Sequence, residues 1–185
     1  MSFRKENKYR VTRAEYHKMK SALASNGMKL LYKSRKVISA YFDSIDLQMY
    51  CDSEEGVLPR KKVRIRWYNN NKGFTLEKKT SSEEGRFKTT RKIDNINCID
   101  TALQFKLMDQ QYGILFPSLK VSYERTYFSL DEMRITFDNK IIYQNLRLNS
   151  LLEYRDPEQV IEIKIPLGIS DDFIQRMIPY STTRF

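Results

Sequence analysis

Arg60-Lys61-Lys62-Val63-Arg64-Ile65-Arg66-Trp67 is the stretch that decides the fold. Positions 60, 62, 64 and 66 are basic while 63, 65 and 67 are apolar, the period of two of a β-strand with one cationic and one apolar face. The same division recurs on both sides of it. Glu77 and Lys79 oppose Leu76; Arg134, Thr136 and Asp138 oppose Met133, Ile135 and Phe137; Glu162 and Lys164 oppose Ile161, Ile163 and Ile165. Near the start, Arg4, Glu6, Lys8 and Arg10 oppose Phe3, Tyr9 and Val11. Five strands therefore share one design.

Working outward, alternation predicts strands near 3–11, 35–43, 60–68, 73–80, 86–92, 118–128, 132–138 and 159–166. Asn69-Asn70-Asn71-Lys72-Gly73 supplies a hairpin loop between two of them. A helix is predicted at 13–25, where Thr12 and Glu15 form a capping box, Tyr16, Met19, Ala22 and Leu23 share a face, and Gly27 follows the end. Weaker helical patterns fall at 45–52, 97–110 and 170–178. The fold class is α+β: a mainly antiparallel eight-stranded sheet, closed as a β-barrel, with a few flanking helices. No repeat or Pro/Gly-rich linker divides it, so one domain is expected over 1–185.

Composition narrows the function. The 33 Lys and Arg outnumber the 23 Asp and Glu, leaving a net charge of +10, and 22 residues are Tyr or Phe. A basic chain this rich in core formers is a folded domain whose partner is an anion: nucleic acid, anionic lipid or polyphosphate. The first residues lack the apolar core of a secretory signal and no apolar run is long enough to span a bilayer, so a cytoplasmic location is expected. Cys51, Cys98 and the single His17 lack zinc or disulfide spacing, and a lone histidine has no orienting partner, which argues against Ser-His or Cys-His covalent catalysis.

A sheet with one charged face can be a solvated surface over a core. Against that reading, Glu-x-Lys recurs at 6/8, 77/79 and 162/164. Eight strands also suffice to close a barrel with the charged faces inward. Desolvated like charges repel, so such a lumen demands a polyanionic ligand, and Glu6, Glu77 and Glu162 would offset part of the repulsion or hold a hard cation.

These residues resemble the triphosphate tunnel metalloenzymes, and within them the VTC (vacuolar transporter chaperone) polyphosphate polymerase domain. The likeness runs through Glu6-Asn7-Lys8-Tyr9, Tyr41-Phe42-Asp43-Ser44, Val63-Arg64-Ile65-Arg66-Trp67-Tyr68 and Leu76-Glu77-Lys78-Lys79-Thr80. It continues through Tyr123-Glu124-Arg125-Thr126, Arg134-Ile135-Thr136-Phe137-Asp138, Val160-Ile161-Glu162-Ile163-Lys164 and the tail Tyr180-Ser181-Thr182-Thr183-Arg184-Phe185. The resemblance implies a triphosphate tunnel fold in which Lys8, Arg64, Arg66, Lys79, Lys88, Arg125, Arg134 and Lys164 bind phosphates. Of these, Arg64, Arg66, Lys79, Arg125 and Arg134 would serve catalysis. Glu162, with Glu6, would hold a divalent metal, manganese or magnesium. Alternation alone assigns Glu124 to the charged face of its strand; the resemblance selects Arg125 instead.

The activity so implied is metal-dependent phosphoryl transfer, with ATP-dependent polyphosphate synthesis leading, since that chemistry needs held oxygens and placed cations more than a nucleophilic side chain. A triphosphatase or polyphosphatase and a non-catalytic polyphosphate-binding module stay open beside it. The expected partners are ATP or triphosphate and polyphosphate, with room for a membrane-protein partner that would bring the domain to a membrane. Nucleic acid ranks lower, because Tyr9, Trp67, Tyr68, Tyr123 and Phe137 fall mostly on apolar faces. The oligomeric state stays open.

Overall fold

The computed structural model describes residues 4–69, 73–94, 99–148, 152–166 and 176. The first elements are β1 (Arg4–Val11), α1 (Arg13–Ser25), β2 (Lys29–Asp43), α2 (Gln48–Glu55), β3 (Arg60–Tyr68), β4 (Phe74–Ser82) and β5 (Gly85–Ile93). They are followed by α3 (Ile99–Gln104), β6 (Leu107–Asp109), β7 (Gly113–Leu130), β8 (Met133–Asn145), β9 (Glu153–Arg155) and β10 (Gln159–Pro166). Hydrogen bonding orders the main strands β1-β10-β8-β7-β2-β3-β4-β5, with β6 added beside β7 and β9 beside β8. The ladders β1–β10, β10–β8, β2–β3, β3–β4 and β4–β5 are all antiparallel. The expected mainly antiparallel sheet of eight principal strands with few helices is observed; the expected closure into a barrel is not made by hydrogen bonding among the described residues, where β1 and β5 end the strand order unpaired with each other.

The chain forms two compact units, and β2, β7 and β8 each contribute one part of their length to either. The first comprises residues 1–36, 123–141 and 155–185; the second comprises 37–122 and 142–154. In the first, Tyr9 and Val11 of β1, Ile135 and Phe137 of β8 and Ile161, Ile163 and Ile165 of β10 form one apolar face, covered by Tyr16, Met19 and Leu23 of α1. The capping box starts that helix as expected: Thr12 Oγ1 accepts from the Glu15 backbone N–H, and Glu15 Oε2 accepts from the Thr12 N–H at 2.8 Å. In the second unit, Ala40 and Phe42 of β2, Val63, Ile65 and Trp67 of β3 and Phe74 of β4 pack with Met49 of α2 and Ala102 of α3. The helices thus cover apolar faces and leave the charged ones to other work.

Boundaries differ where alternation breaks. β2 starts at Lys29, not near 35, because Lys29-Leu30-Leu31-Tyr32-Lys33-Ser34 is exposed on both faces and carries no period of two. β7 and β8 run longer than 118–128 and 132–138. The helix expected at 45–52 is shifted to 48–55, and the one expected at 97–110 resolves into the short α3 and the strand β6. The helix expected at 170–178 and the tail 180–185 lie outside the described residues, apart from Arg176.

Candidate functional site

The charged face of the second unit is built by register. Across β3, β4 and β5 the pairs read Lys62–Lys79–Lys88, then Arg64–Glu77–Thr90, then Arg66–Thr75–Lys92. On the other side of β3, Tyr41 and Ser39 of β2 lie opposite Arg64 and Arg66. Antiparallel partners project to the same face, so the alternation of each strand stacks into a block of cations.

Glu77 is the hub of that block. Its Oε2 accepts from Arg64 Nε at 2.6 Å and lies 3.6 Å from Arg66 Nη1, while its Oε1 accepts from Lys88 Nζ at 2.6 Å. Arg64 Nη1 donates to the Tyr41 hydroxyl at 2.8 Å and Arg66 Nε to Ser39 Oγ at 3.2 Å. Burial pushes the Glu77 carboxyl up, but the Lys88 hydrogen bond and the Arg64 and Arg66 charges outweigh it and bring it down to about 2. The same two arginines overcome burial at Tyr41 and lower its phenol. Arg66 is 9% and Glu77 7% exposed, whereas Lys62, Lys79, Lys88 and Lys92 of the same block are exposed, so the burial is confined to its centre on β3 and β4.

The first unit carries a second, differently composed face. Its register reads Glu6–Lys164–Arg134, then Lys8–Glu162–Thr136, then Arg10–Val160–Asp138 across β1, β10 and β8. Glu162, 8% exposed, lies 3.3 Å from Lys164 Nζ and 3.7 Å from Arg125 Nη2. Burial raises its carboxyl, yet Arg125, Lys164 and Lys8 together hold it below the usual range. Arg125 forms a two-pronged pair with Asp138, Nε to Oδ1 and Nη2 to Oδ2, both at 2.6 Å. Burial opposes its charge, but the Asp138 bonds prevail and raise its pKa. Glu124, the choice of alternation, pairs instead with Lys140 on an exposed surface. The expected site residues therefore fall into two groups: Arg64, Arg66, Lys79 and Lys88 in one unit, and Glu6, Lys8, Arg125, Arg134, Glu162 and Lys164 in the other.

The fit to a divalent cation can be tested on the donors. Glu6 Oε2 and Glu162 Oε1 both approach Lys164 Nζ, at 3.8 and 3.3 Å, so two carboxylates already converge on one positive charge. Thr136 Oγ1, opposite Glu162, is buried without a hydrogen-bond partner. No group of three or more acidic, histidine or cysteine side chains gathers as a metal cluster among the described residues. Two carboxylates and an orphaned hydroxyl suit a hard ion that takes its remaining oxygens from phosphate and water.

Residues 3–180 match the family described as the VTC domain. The chain belongs to the VTC domain family. Membership supports an activity on triphosphate or phosphoryl groups. No curated protein matches the sequence at a significant level. Among solved structures, a Bacillus halodurans protein provisionally named an adenylate cyclase is similar over 100% of this chain and 94% of its own, at 16% identity and a TM-score of 0.61. The PH1012 protein of Pyrococcus horikoshii is similar over 97% of this chain and 92% of its own, at 12% identity and a TM-score of 0.55. A chain of the Schizosaccharomyces pombe Mediator head module aligns over 94% of this chain and 88% of its own, at 10% identity and a TM-score of 0.52. At such identities these likenesses show the fold alone.

Some conspicuous parts of this VTC domain prove structural. Asp43 of Tyr41-Phe42-Asp43-Ser44 is buried and accepts from the backbone N–H groups of Ser44, Met49 and Tyr50 at 2.8, 2.9 and 3.0 Å, so it caps α2. Tyr9, Trp67 and Phe137 are at most 2% exposed, which removes them as base-stacking platforms. Conversely, sequence reasoning missed Asp138 as the partner that orients Arg125, and Tyr127 and Arg35, which sit beside Arg134. The Arg134/Thr136/Asp138 alternation marks Asp138 as facing the charged side, but nothing in sequence pairs it with Arg125.

Proposed function

We propose that the protein is a metal-dependent phosphotransferase that lengthens polyphosphate with ATP. The observation that carries this reading is the block across β3, β4 and β5, where six cations surround the single carboxylate of Glu77. With Arg66 buried, Arg64 half-buried and Lys62, Lys79, Lys88 and Lys92 exposed beside them, this concentration of positive charge favours an oxyanion, and a chain of phosphates suits cations repeated along and across strands. Arg64 and Arg66, held in fixed orientation by Glu77, Tyr41 and Ser39, present planar donors for phosphate oxygens, while Lys79 and Lys88 add mobile point charges.

In the other unit, Glu162 with Glu6 would hold manganese or magnesium, which when bound supplies charge neutralisation on phosphate oxygens. Lys8, Arg125, Arg134 and Lys164 bind and orient the oxygens around it, and the Asp138 clamp keeps the Arg125 fork planar and in place. The terminal oxygen of a phosphate chain then attacks the γ-phosphorus of ATP; the new P–O bond lengthens the chain, and the bond to ADP breaks. A cytoplasmic location, with a membrane-protein partner, belongs to the same reading. No helix of the described residues is long and apolar enough to cross a membrane.

Purified protein incubated with ATP and manganese or magnesium tests the proposal. Polyphosphate and ADP in equal phosphoryl amounts are expected. Free phosphate in place of polyphosphate would make the protein a hydrolase of the same site, and tight tripolyphosphate binding without turnover would make it a binding module.

A further inference from the structure

Apart from its charged face, the second unit contains a cleft of about 530 Å³ between the loop after β2, the end of α3, the first part of β7 and the segment after β8. We propose that this cleft binds a fatty-acid carboxylate, with the head on two cations and the hydrocarbon chain along apolar walls. The proposal goes beyond the phosphotransfer reading and uses none of the residues assigned to phosphate or metal.

The walls are apolar. Leu103 and Leu146 pack against the buried core of the second unit yet stay partly exposed, and Phe116 and Pro117 extend the same lining. Ile45 lines the cleft as well and is 80% exposed. Apolar surface continues beyond the cleft. Ile114 precedes Phe116 by two residues on β7, hence on the same strand face, and its ladder partner on β6 is Met108. These two residues are 50% and 71% exposed. An apolar cleft continuous with an exposed apolar strip differs from singly scattered surface residues and suits an elongated ligand.

The charge on the lining is of one sign. Its charged residues are Lys106 and Arg147. Lys106 Nζ lies over the Phe116 ring, 5.4 Å from the centroid, so cation and apolar wall adjoin. Arg147 donates through Nη1 to the Ile45 carbonyl and through Nη2 to the Ser44 carbonyl. Its Nε is buried without a hydrogen-bond partner among the described residues. Among those residues, neither Lys106 nor Arg147 lies within ion-pair distance of a carboxylate. On the charged face of the same unit, in contrast, Arg64, Arg66 and Lys88 all share Glu77.

These features select the ligand together. A bare phosphate chain would answer the cations but leave the apolar walls wet, and a neutral hydrocarbon would cover the walls while leaving the cations without an acid. A carboxylate on a hydrocarbon chain does both. A volume of about 530 Å³ lies within the range of small-molecule pockets, and a concave site of that size takes one amphiphile more readily than the flat surface of a bilayer.

Calorimetric titration of the full chain with octanoate, decanoate, decanol and tripolyphosphate, the amphiphiles kept monomeric, tests this in parent, Lys106→Gln and Ile45→Ser. Both substituted residues are exposed, so the variants should fold. Decanoate should bind about tenfold more tightly than octanoate, because two further methylenes leave water. Lys106→Gln should weaken decanoate about fivefold while decanol and tripolyphosphate stay within about twofold. Ile45→Ser should weaken decanoate and decanol alike, by about threefold. Equal affinity for octanoate and decanoate would overturn the assignment by reducing it to anion binding. Equal loss of tripolyphosphate and decanoate in Lys106→Gln overturns it too, by making Lys106 part of a phosphate track. Absence of decanoate binding defeats it outright, and Lys106-dependent binding to phosphatidylglycerol vesicles in that case makes the surface a membrane contact instead.

Discussion

The two charged faces are made by the same strand pattern but are not equivalent. Of the nine residues paired across β3, β4 and β5, six are basic and one is acidic; of the nine across β1, β10 and β8, four are basic and three acidic. On the first face one carboxylate serves three cations, so positive charge remains for an outside anion. On the second, Glu6, Glu162 and Asp138 approach balance with their neighbours, and Glu6 and Glu162 meet at one ammonium position. In the proposed reading, the face with surplus cations would grip phosphate and the nearly balanced face would accept a cation and an anion together. Net charge over the whole chain hides this division of labour.

The largest test of the difference is Glu162→Gln. An amide oxygen is a poor ligand for a hard cation, so metal-dependent turnover should fall about a thousandfold. Tripolyphosphate binding should persist. Turnover within a few-fold of the parent at saturating manganese and ATP would show that the metal sits elsewhere, with Glu6 and Glu77 next to examine.

Glu77→Gln should act on stability instead. It leaves Arg64, Arg66 and Lys88 without their shared carboxylate, costing roughly 3 kcal/mol in ligand-free protein, readable by urea unfolding. Tripolyphosphate should restore most of the loss, because it binds only the folded state and supplies the missing negative charge. An equally stable ligand-free variant would deny that the face carries uncompensated repulsion.

Arg64→Ala and Arg66→Ala should each weaken polyphosphate binding about tenfold while keeping the fold, because removing one cation leaves Glu77 two others. Unfolding of either variant would assign these arginines a structural task in place of a binding one.

The smallest effect is expected from acid. Glu77 ionises near about 2 in the folded protein against an ordinary 4.5, and Glu162 is also lowered. Their stabilisation is complete above the unfolded value and is lost as pH falls from about 4.5 toward 2. Melting temperature should therefore decline over that window, less steeply in Glu77→Gln than in the parent. Parallel curves for both proteins would show that Glu77 contributes little to the acid response.

Legibility varied with the regularity of the pattern. β3 and β10 could be read because their apolar residues are buried on one side and their charges aligned on the other, and Val63, Ile65, Ile161, Ile163 and Ile165 are buried to 1% or less. The first half of β2 could not, since neither of its faces joins the core and no period is imposed on it. Arg125 needed the family resemblance, because alternation places it with Val121 and Tyr123, opposite the polar set Lys120, Ser122, Glu124 and Thr126 of β7. Its partner Asp138 comes from a different strand.

Composition and alternation by themselves determined that this chain forms an amphipathic antiparallel sheet with helices on the apolar side, since burial enforces a period of two wherever a strand has one wet and one dry face. They also determined that the charged side is cationic and carries sparse glutamates. Only the tertiary structure decided which charges meet: that Glu77 serves Arg64, Arg66 and Lys88, that Glu6 and Glu162 share Lys164, and that Tyr127 aligns Arg35 with Arg134. The reason is geometric. Period two assigns a side chain to a face, but its neighbours on that face come from other strands, and strand order and register are settled by the packing of the whole sheet.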